Sequence, residues 1–321
     1  MKRFYFAAAV ALALTSSFPA QAADWKPTGT VTLIVPSTPG GGHDTNARAL
    51  ARVMEKHAGQ SIVIVNQPAG GGVVAYNEMM KAKTDGQTLG QVSTSLVTDK
   101  YRLDNVRYDG SSFTYVGEIS EDPNLLVVSA KGPLAELDIK GLIEKAKTEP
   151  ETINIGVSGN WGNQDYVRFA LEEATGAKFR RIPIKGGRQI LLGLLSGDIG
   201  IGLLYPSEVK AQVDSGELKV IAHNGEIAPE GFGNVPSFKE SGIDVGLSVW
   251  RALVLPKETP AEIASGWERI LADTMKDPAL KEAYKSVSIG YAYKDTAETE
   301  ALVKESSETL TTLSKKAGLI K

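Results

Sequence analysis

Cysteine is absent from the chain, and only three histidines, His43, His57 and His223, occur in its 321 residues. The first absence excludes disulfides, thiolate catalysis and any cysteine-ligated zinc or iron–sulfur site. The second argues against a multi-histidine metal centre, since no second histidine or carboxylate pair stands at ligand spacing. An excess of positive charge is missing too. Lys and Arg number 35 against 38 Asp and Glu, a formal net charge of −3, which excludes nucleic-acid binding as the main task. No apolar stretch reaches the roughly 18 residues that a membrane-spanning helix needs. No cofactor is implied.

The start of the chain reads as an address. Lys2 and Arg3 precede an apolar run from Phe4 to Leu14, and Ala20-Gln21-Ala22 supplies a small-residue cleavage site. This is the pattern of a secretory signal peptide over residues 1–22, with cleavage after Ala22. Without cysteine there is no lipid anchor. Loss of Lys2 and Arg3 takes the formal charge from −3 to −5. The expected product is an exported, soluble periplasmic protein. At roughly 150 residues per domain, its length suggests two domains.

Glycine, by contrast, is plentiful: 33 residues, about a tenth of the chain against an average near 7%. Its placement follows the hydrophobic pattern. Val31 to Val35 is a β-branched apolar run of the kind buried on both faces of a sheet, and residues 45–58 carry apolar side chains at helical spacing. The cycle repeats with strands at Ile62–Val65 and Thr88–Val92 around a helix at 73–82. A second series follows: strands at Leu125–Val128, Ile153–Val157, Phe179–Ile182, Ile199–Leu204, Leu218–Ala222 and Val249–Leu255. Helices are predicted at 138–147, from the Ser158 loop to Gly176, at 188–196, and at 260–274, 278–286 and 296–316. Strands alternating with helices imply parallel sheets with right-handed crossovers.

Each glycine-rich loop then falls between the end of a strand and the start of a helix, the edge where open α/β sheets bind ligands. The first-turn amides of a helix are unpaired and its dipole favours an anion there. Ser37, Thr38, Gly40, Gly41, Gly42, His43 and Asp44 form one such loop, and Ala69, Gly70 and Gly71 a second. Thr94 and Ser95 follow the third strand. Ser158, Gly159, Asn160, Trp161 and Gln164 lie in the second series, as do Gly187, Arg188 and Tyr205. Known phosphate motifs fail: the sixth position of a Gly-x-Gly-x-x-Gly from Gly40 is Thr45, and no Gly-Lys-Ser/Thr ending exists. The expected ligand is an anion other than a nucleotide.

These loops resemble those of a known family. Val35-Pro36 with Pro39-Gly40-Gly41, Asp44 and Arg48 is similar to the first motif of the tripartite tricarboxylate transporter substrate-binding proteins, also called the Bug or TctC-like family. Val65 to Gly72 resembles the second motif and Thr84 to Leu89 the third. Ser158 to Gly162, Ile182 to Gly186, Ser196-Gly197-Asp198, Val235 to Gly242 and Trp250 to Pro256 continue the family's order across the mature chain. The resemblance implies a type II periplasmic binding protein of the Venus-flytrap kind. Each lobe would be a mainly parallel sheet flanked by helices, with the ligand cleft between lobes. Residues 23–124 plus 250–321 would form lobe I and 125–249 lobe II. It implies a small organic carboxylate as ligand, di- or tricarboxylate foremost, and membrane permease subunits as partners of a monomer. One carboxylate would be held by amides of the first two loops, with Asp44 acting through water. Four departures are visible. Ser37 stands where the family is often aromatic, Ala69-Gly70 inverts a commoner order, and Lys185-Gly186-Gly187 replaces a Tyr-Arg-Gly-like segment. A usual histidine is replaced near Asp165 or Tyr166.

Individual residues carry alternatives. Asp44 is also placed to cap its helix by accepting from the Ala47 amide. His43 reads as a polar residue of the cleft rim. Arg188 opens a helix, against the dipole, and is a candidate for gripping a second carboxylate. Trp161 suits either stacking on a ligand or capping an inter-lobe contact. Two other functions compete: a periplasmic ligand sensor signalling to a membrane partner, and a hydrolase using Ser158, Asp198 and His223 in nucleophile-elbow order.

Overall fold

A computed structural model describes residues 25–226 and 228–320; the expected signal peptide lies outside the described residues. The first sheet is built from β1 (Val31–Val35), β2 (Ile62–Asn66), β3 (Thr88–Ser93), β4 (Phe113–Asp122) and, from late in the chain, β10 (Val249–Pro256). The second comprises β5 (Leu125–Ser129), β6 (Asn154–Ser158), β7 (Arg180–Ile184), β8 (Ile201–Leu204) and β9 (Leu218–His223). Their orders are β2-β1-β3-β10-β4 and β7-β6-β8-β5-β9. In each, the reversed strand pairs antiparallel with both neighbours and occupies the fourth place. The other four strands share one direction, so the mainly parallel expectation holds.

Both faces of each sheet are covered. Helices α1 (Gly42–Ala58), α2 (Val73–Lys81), α3 (Ser95–Thr98), α4 (Ile139–Thr148), α5 (Asn163–Thr175), α6 (Gly187–Ser196) and α7 (Pro206–Asp214) intervene between strands. The chain closes with α8 (Ala261–Lys276), α9 (Pro278–Ser286) and α10 (Thr296–Lys316). The alternation of β1 explains the layering. Val31, Leu33 and Val35 face a core with Leu50, Met54, Trp267 and Leu271, whereas Ile34 faces Tyr76, Met79 and Val303. In the second sheet, Leu126 and Val128 pack with Leu142 and Leu171 on one side, and Leu125 and Val127 with Ile190 and Val209 on the other. Truncating such a buried leucine to alanine costs about 2–5 kcal/mol.

Two crossings join the sheets, from β4 to β5 through Pro123-Asn124 and from β9 back to β10. They are stitched where they meet: the Asn124 amide donates to Asn224 Oδ1 at 2.7 Å and the Asn224 amide to the Asn124 carbonyl at 3.1 Å. The Asn124 side-chain amide also donates to Asn163 Oδ1 and to the Leu247 carbonyl.

Three elements were not expected, one of them the single-turn α3. β4 is interrupted by Glu118, Ser120, Glu121 and Asp122, so its sequence lacks an apolar run. The buried Glu118 is paired with Lys294 at 2.5 Å, and Asp122 with Arg251 at 2.5 Å, partners more than a hundred residues away. Helix α7 opens with Pro206, which reads as a breaker in sequence yet suits the first helical position, where no amide bond is lost. Helix α1 also begins at Gly42, three residues before its expected start.

Candidate functional site

The carboxyl ends of β1 and β2 lie side by side, and their loops form one unit. The Gln67 amide donates to the Val35 carbonyl at 2.8 Å, and Asn66 Nδ2 donates to the Ser37 carbonyl at 3.1 Å. In the second loop Gly70, Gly71 and Gly72 take φ values of +63°, +69° and +100° in succession. Side chains rarely tolerate that conformation. A Cβ on Gly72 would also stand 3.0 Å from Pro36 Cβ. Only glycine allows the two loops to pack this way.

Asp44 organises the first loop. Its carboxylate accepts from the Gly40 amide at 2.8 Å, from Arg48 Nε at 3.0 Å and Nη2 at 2.9 Å, and from Asn66 Nδ2 at 3.0 Å. Four donors fill the acceptor positions of a carboxylate. Burial pushes its pKa up, but Arg48, the Gly40 amide and Asn66 together hold it below the ordinary value. The capping role toward Ala47 is not what forms. Gly41 is the cap residue, and Asp44 sits inside the helix, reaching backward to Gly40. A residue in the third helical position lies under the preceding turn, which is why it meets that amide.

The same arrangement recurs beyond β6. Asp165, third residue of α5, accepts from the Trp161 amide at 2.9 Å, from Arg168 Nε at 2.8 Å, and from Arg181 Nε and Nη2 at 2.7 and 2.5 Å. Arg181 also donates to Asn160 Oδ1, and Arg168 pairs with Glu172 at 2.9 Å. Trp161 is half-buried. The Arg168 and Arg181 guanidinium carbons lie 5.9 and 5.7 Å from its ring centroid, with Tyr166 and Phe169 edge-on at 5.5 Å. Tyr166 is fully buried, its hydroxyl 2.6 Å from Ser314 Oγ of α10. The ring contacts of Trp161 lie within the second series, and its neighbour Tyr166 carries the bond to α10.

A third cluster joins the two sheets. Arg251, in β10, is wholly buried; its Nη1 donates to Asp122 Oδ2 and, at 3.2 Å, to Ser120 Oγ. Its Nε donates to His43 Nδ1 at 3.2 Å, and its guanidinium lies 5.8 Å from the Tyr205 ring of the second sheet. Burial and the neighbouring Arg251 lower the His43 pKa to about 3, so the imidazole is neutral and accepts at Nδ1. A Cβ on Gly42 would stand 3.4 Å from Arg251 Nη2 and 3.8 Å from Ser207 Oγ. A Cβ on Gly187 would fall 2.2 Å from Glu208 Oε1. Burial pushes Glu208 up to about 7, against its bond from the Tyr205 amide. The starts of α1, α6 and α7 therefore converge.

The remaining expected residues divide. Thr94 and Gln164 are buried; the Ser95 hydroxyl is taken by Tyr76 at 2.7 Å and Ser93 at 3.2 Å. Ser37, Ser158, Gly159 and Gly41 are partly covered, while Thr38, Gly40, Ala69, Gly70, Gly71 and Asn160 form the exposed rim. Arg188 is exposed on α6, next to Gly187, whereas the cation buried in the convergent cluster is Arg251. Sequence reasoning missed Arg251, although a lone cation inside an otherwise apolar strand must find a buried partner. The hydrolase trio is not assembled. Ser158 ends β6, whereas Asp198 precedes β8, and these strands are parallel, so the two lie at opposite sheet edges. His223 Nδ1 instead accepts from the Gly225 amide at 3.1 Å.

Comparison with known proteins accords with this geometry. Residues 46–319 match the model of the tripartite tricarboxylate transporter family receptor. A protein from the TAR-I ttuE–ttuC′ intergenic region of Agrobacterium vitis is 30% identical over 88% of this chain and 82% of its own length. The crystal structure of a TctC solute-binding protein from Polaromonas superposes with a TM-score of 0.75 at 29% identity, covering 90% of this chain and 99% of that one. An R. palustris protein solved with adipate superposes with a TM-score of 0.83 at 25% identity, covering 91% and 98%.

Proposed function

The chain belongs to the tripartite tricarboxylate transporter receptor family, and on that premise we propose that it captures a small organic carboxylate between its two sheets and delivers it to a membrane permease. The observation that carries this reading is the convergence of helix starts. The start of α1, after β1, faces Ser207 of α7, and the start of α6 abuts Glu208 of the same helix, with Arg251 beside Gly42 and Tyr205. Such amides and dipoles suit an anion, and an acidic protein must rely on them and on a few cations rather than on its overall field. Adipate in the R. palustris relative supports a dicarboxylate as the class.

The loops after β1 and β2 hold one carboxylate through amides, with Asp44 fixing the loop that presents them. Thr94, Ser158, Gln164 and Tyr205 line the approach, and Trp161 braces the wall. With the hinge read at Asn124 and Leu247, lobe I is 23–124 plus 250–321 and lobe II is 125–249. Closure about this hinge is the capture step. The protein acts as a periplasmic monomer after cleavage behind Ala22 and performs no catalysis. No helix among the described residues is long and apolar enough to cross a membrane, which fits a partner-dependent delivery role.

Native mass spectrometry of protein purified from its own host tests the reading. A co-purified organic acid, lost on unfolding, is expected. A co-purified amine or sugar in its place would overturn it.

A further inference from the structure

Between the start of α1 and the start of α7, two polar atoms lack partners. Arg251 Nη2 and Ser207 Oγ are both buried and make no hydrogen bond, one belonging to each sheet's side of the molecule. Arg251 as a whole has no exposed surface. Both atoms lie around one point, marked by the position a Cβ would take on Gly42. Because residue 42 is glycine, nothing but hydrogen fills that point. Unmet buried donors destabilise a structure unless something between them accepts.

We propose that Arg251 Nη2 and Ser207 Oγ, beside Gly42, form a carboxylate seat that spans the two lobes and selects ionised carboxylates against amides and esters. This rests on the carboxylate reading of the cleft and deepens it. The donors match. A guanidinium nitrogen and a hydroxyl can each give a hydrogen bond to one anion, and the first-turn amides of α1 add a favourable dipole. The other guanidinium edges are fixed by Asp122, Ser120 and His43, so the free nitrogen is held in one direction. Asp122 already balances the charge, which makes the seat's selectivity one of donor geometry as well as attraction. An amide nitrogen or ester methyl placed there would meet a donor with a donor or with nothing. Arg251 comes from β10 and Ser207 from α7, so a ligand in the seat would draw on both sheets' sides at once.

Calorimetric titration of the full mature protein with succinate, malate and adipate, each beside its mono-amide, tests the seat. For whichever acid binds wild type best, the mono-amide in the seat is expected to bind about tenfold to a hundredfold more weakly. Ser207→Ala and Arg251→Lys should each lose about tenfold for the diacid and narrow the gap to the mono-amide. Ser207→Ala is the cleaner probe: its hydroxyl makes no bond in the empty structure, so its melting temperature should stay level or rise. Gly42→Ala, which fills the point, should weaken binding while α1 stays formed. Affinities of Ser207→Ala and Gly42→Ala within twofold of wild type would overturn the seat alone. Failure of wild type to bind any of the three acids would overturn the carboxylate reading and the seat with it.

Discussion

The loops after β1 and β6 use one device for two purposes. In each, an aspartate at the third position of a helix folds back to an amide four residues earlier and takes a partner from the adjacent parallel strand. Around Asp44 the partners are Arg48, whose side chain is 52% exposed, and the neutral Asn66. Around Asp165 they are Arg168 and Arg181, 6% and 27% exposed, tied further to Glu172 and to the Trp161 face. The second loop is thus a braced wall packed on α10. The first stays open at its rim, all small residues and glycine, where a ligand can approach backbone. Similar bonding therefore does not require a similar role: both aspartates are buried, and what separates them is the exposure of the cations around them, which on the carboxylate proposal leaves the first loop free to serve a ligand.

Removing each aspartate separates those roles. Asp165→Ala takes the shared carboxylate from one buried and one half-buried guanidinium and should cost about 3 kcal/mol in urea unfolding. Asp44→Ala should cost only about 1–2 kcal/mol, because Arg48 can turn to water, yet weaken carboxylate binding about tenfold. Equal stability losses would break the contrast.

The next largest effect concerns glycine. Gly72→Ala combines a positive φ with a contact against Pro36, and should cost about 2 kcal/mol and reduce affinity by shifting the paired loops. Gly159→Ala has a positive φ of 69° but open space beyond, so about 1 kcal/mol and an unchanged affinity are expected. Denaturation and calorimetry on the same pair of variants check this.

The smallest effect is a pH slope. His43 has a native pKa lowered to about 3 against an ordinary value near 6.5. The unfolded chain therefore binds a proton that the native chain refuses, and stability from this group falls as pH drops from 6.5 toward 3. Between pH 6.5 and 5 the loss is about 1–2 kcal/mol. His43→Gln should flatten that part of the curve; an unchanged slope would show that Arg251 does not hold the ring neutral.

Much of this architecture was legible in the chain. Val31 to Val35 announced a doubly buried strand, and Gly40 to Gly42 and Gly70 to Gly72 marked the turns from strand to helix. β4 escaped because Glu118 and Asp122 are buried only by virtue of Lys294 and Arg251, which a local pattern does not reveal. Helix α7 escaped because Pro206 signals a break unless its position in the first turn is known. The site followed the same rule. Glycine marked the backbone turns, but Arg251 belonged to a strand whose partners are distant in sequence, and the helix-start position that singled out Arg188 carried no information about it. Pairing across sequence distance was the missing quantity.

The central claim is that two lobes close on a carboxylate. Thermal unfolding of the mature protein across a concentration series of succinate, malate and adipate, with the matching diamides as controls, tests it most directly. A ligand at about 100 times its Kd stabilises the native state by about 2.7 kcal/mol, which moves the midpoint by several degrees. The account predicts such a concentration-dependent rise for at least one diacid and none for any diamide. Equal rises with acid and diamide, or no rise with any acid, would contradict it.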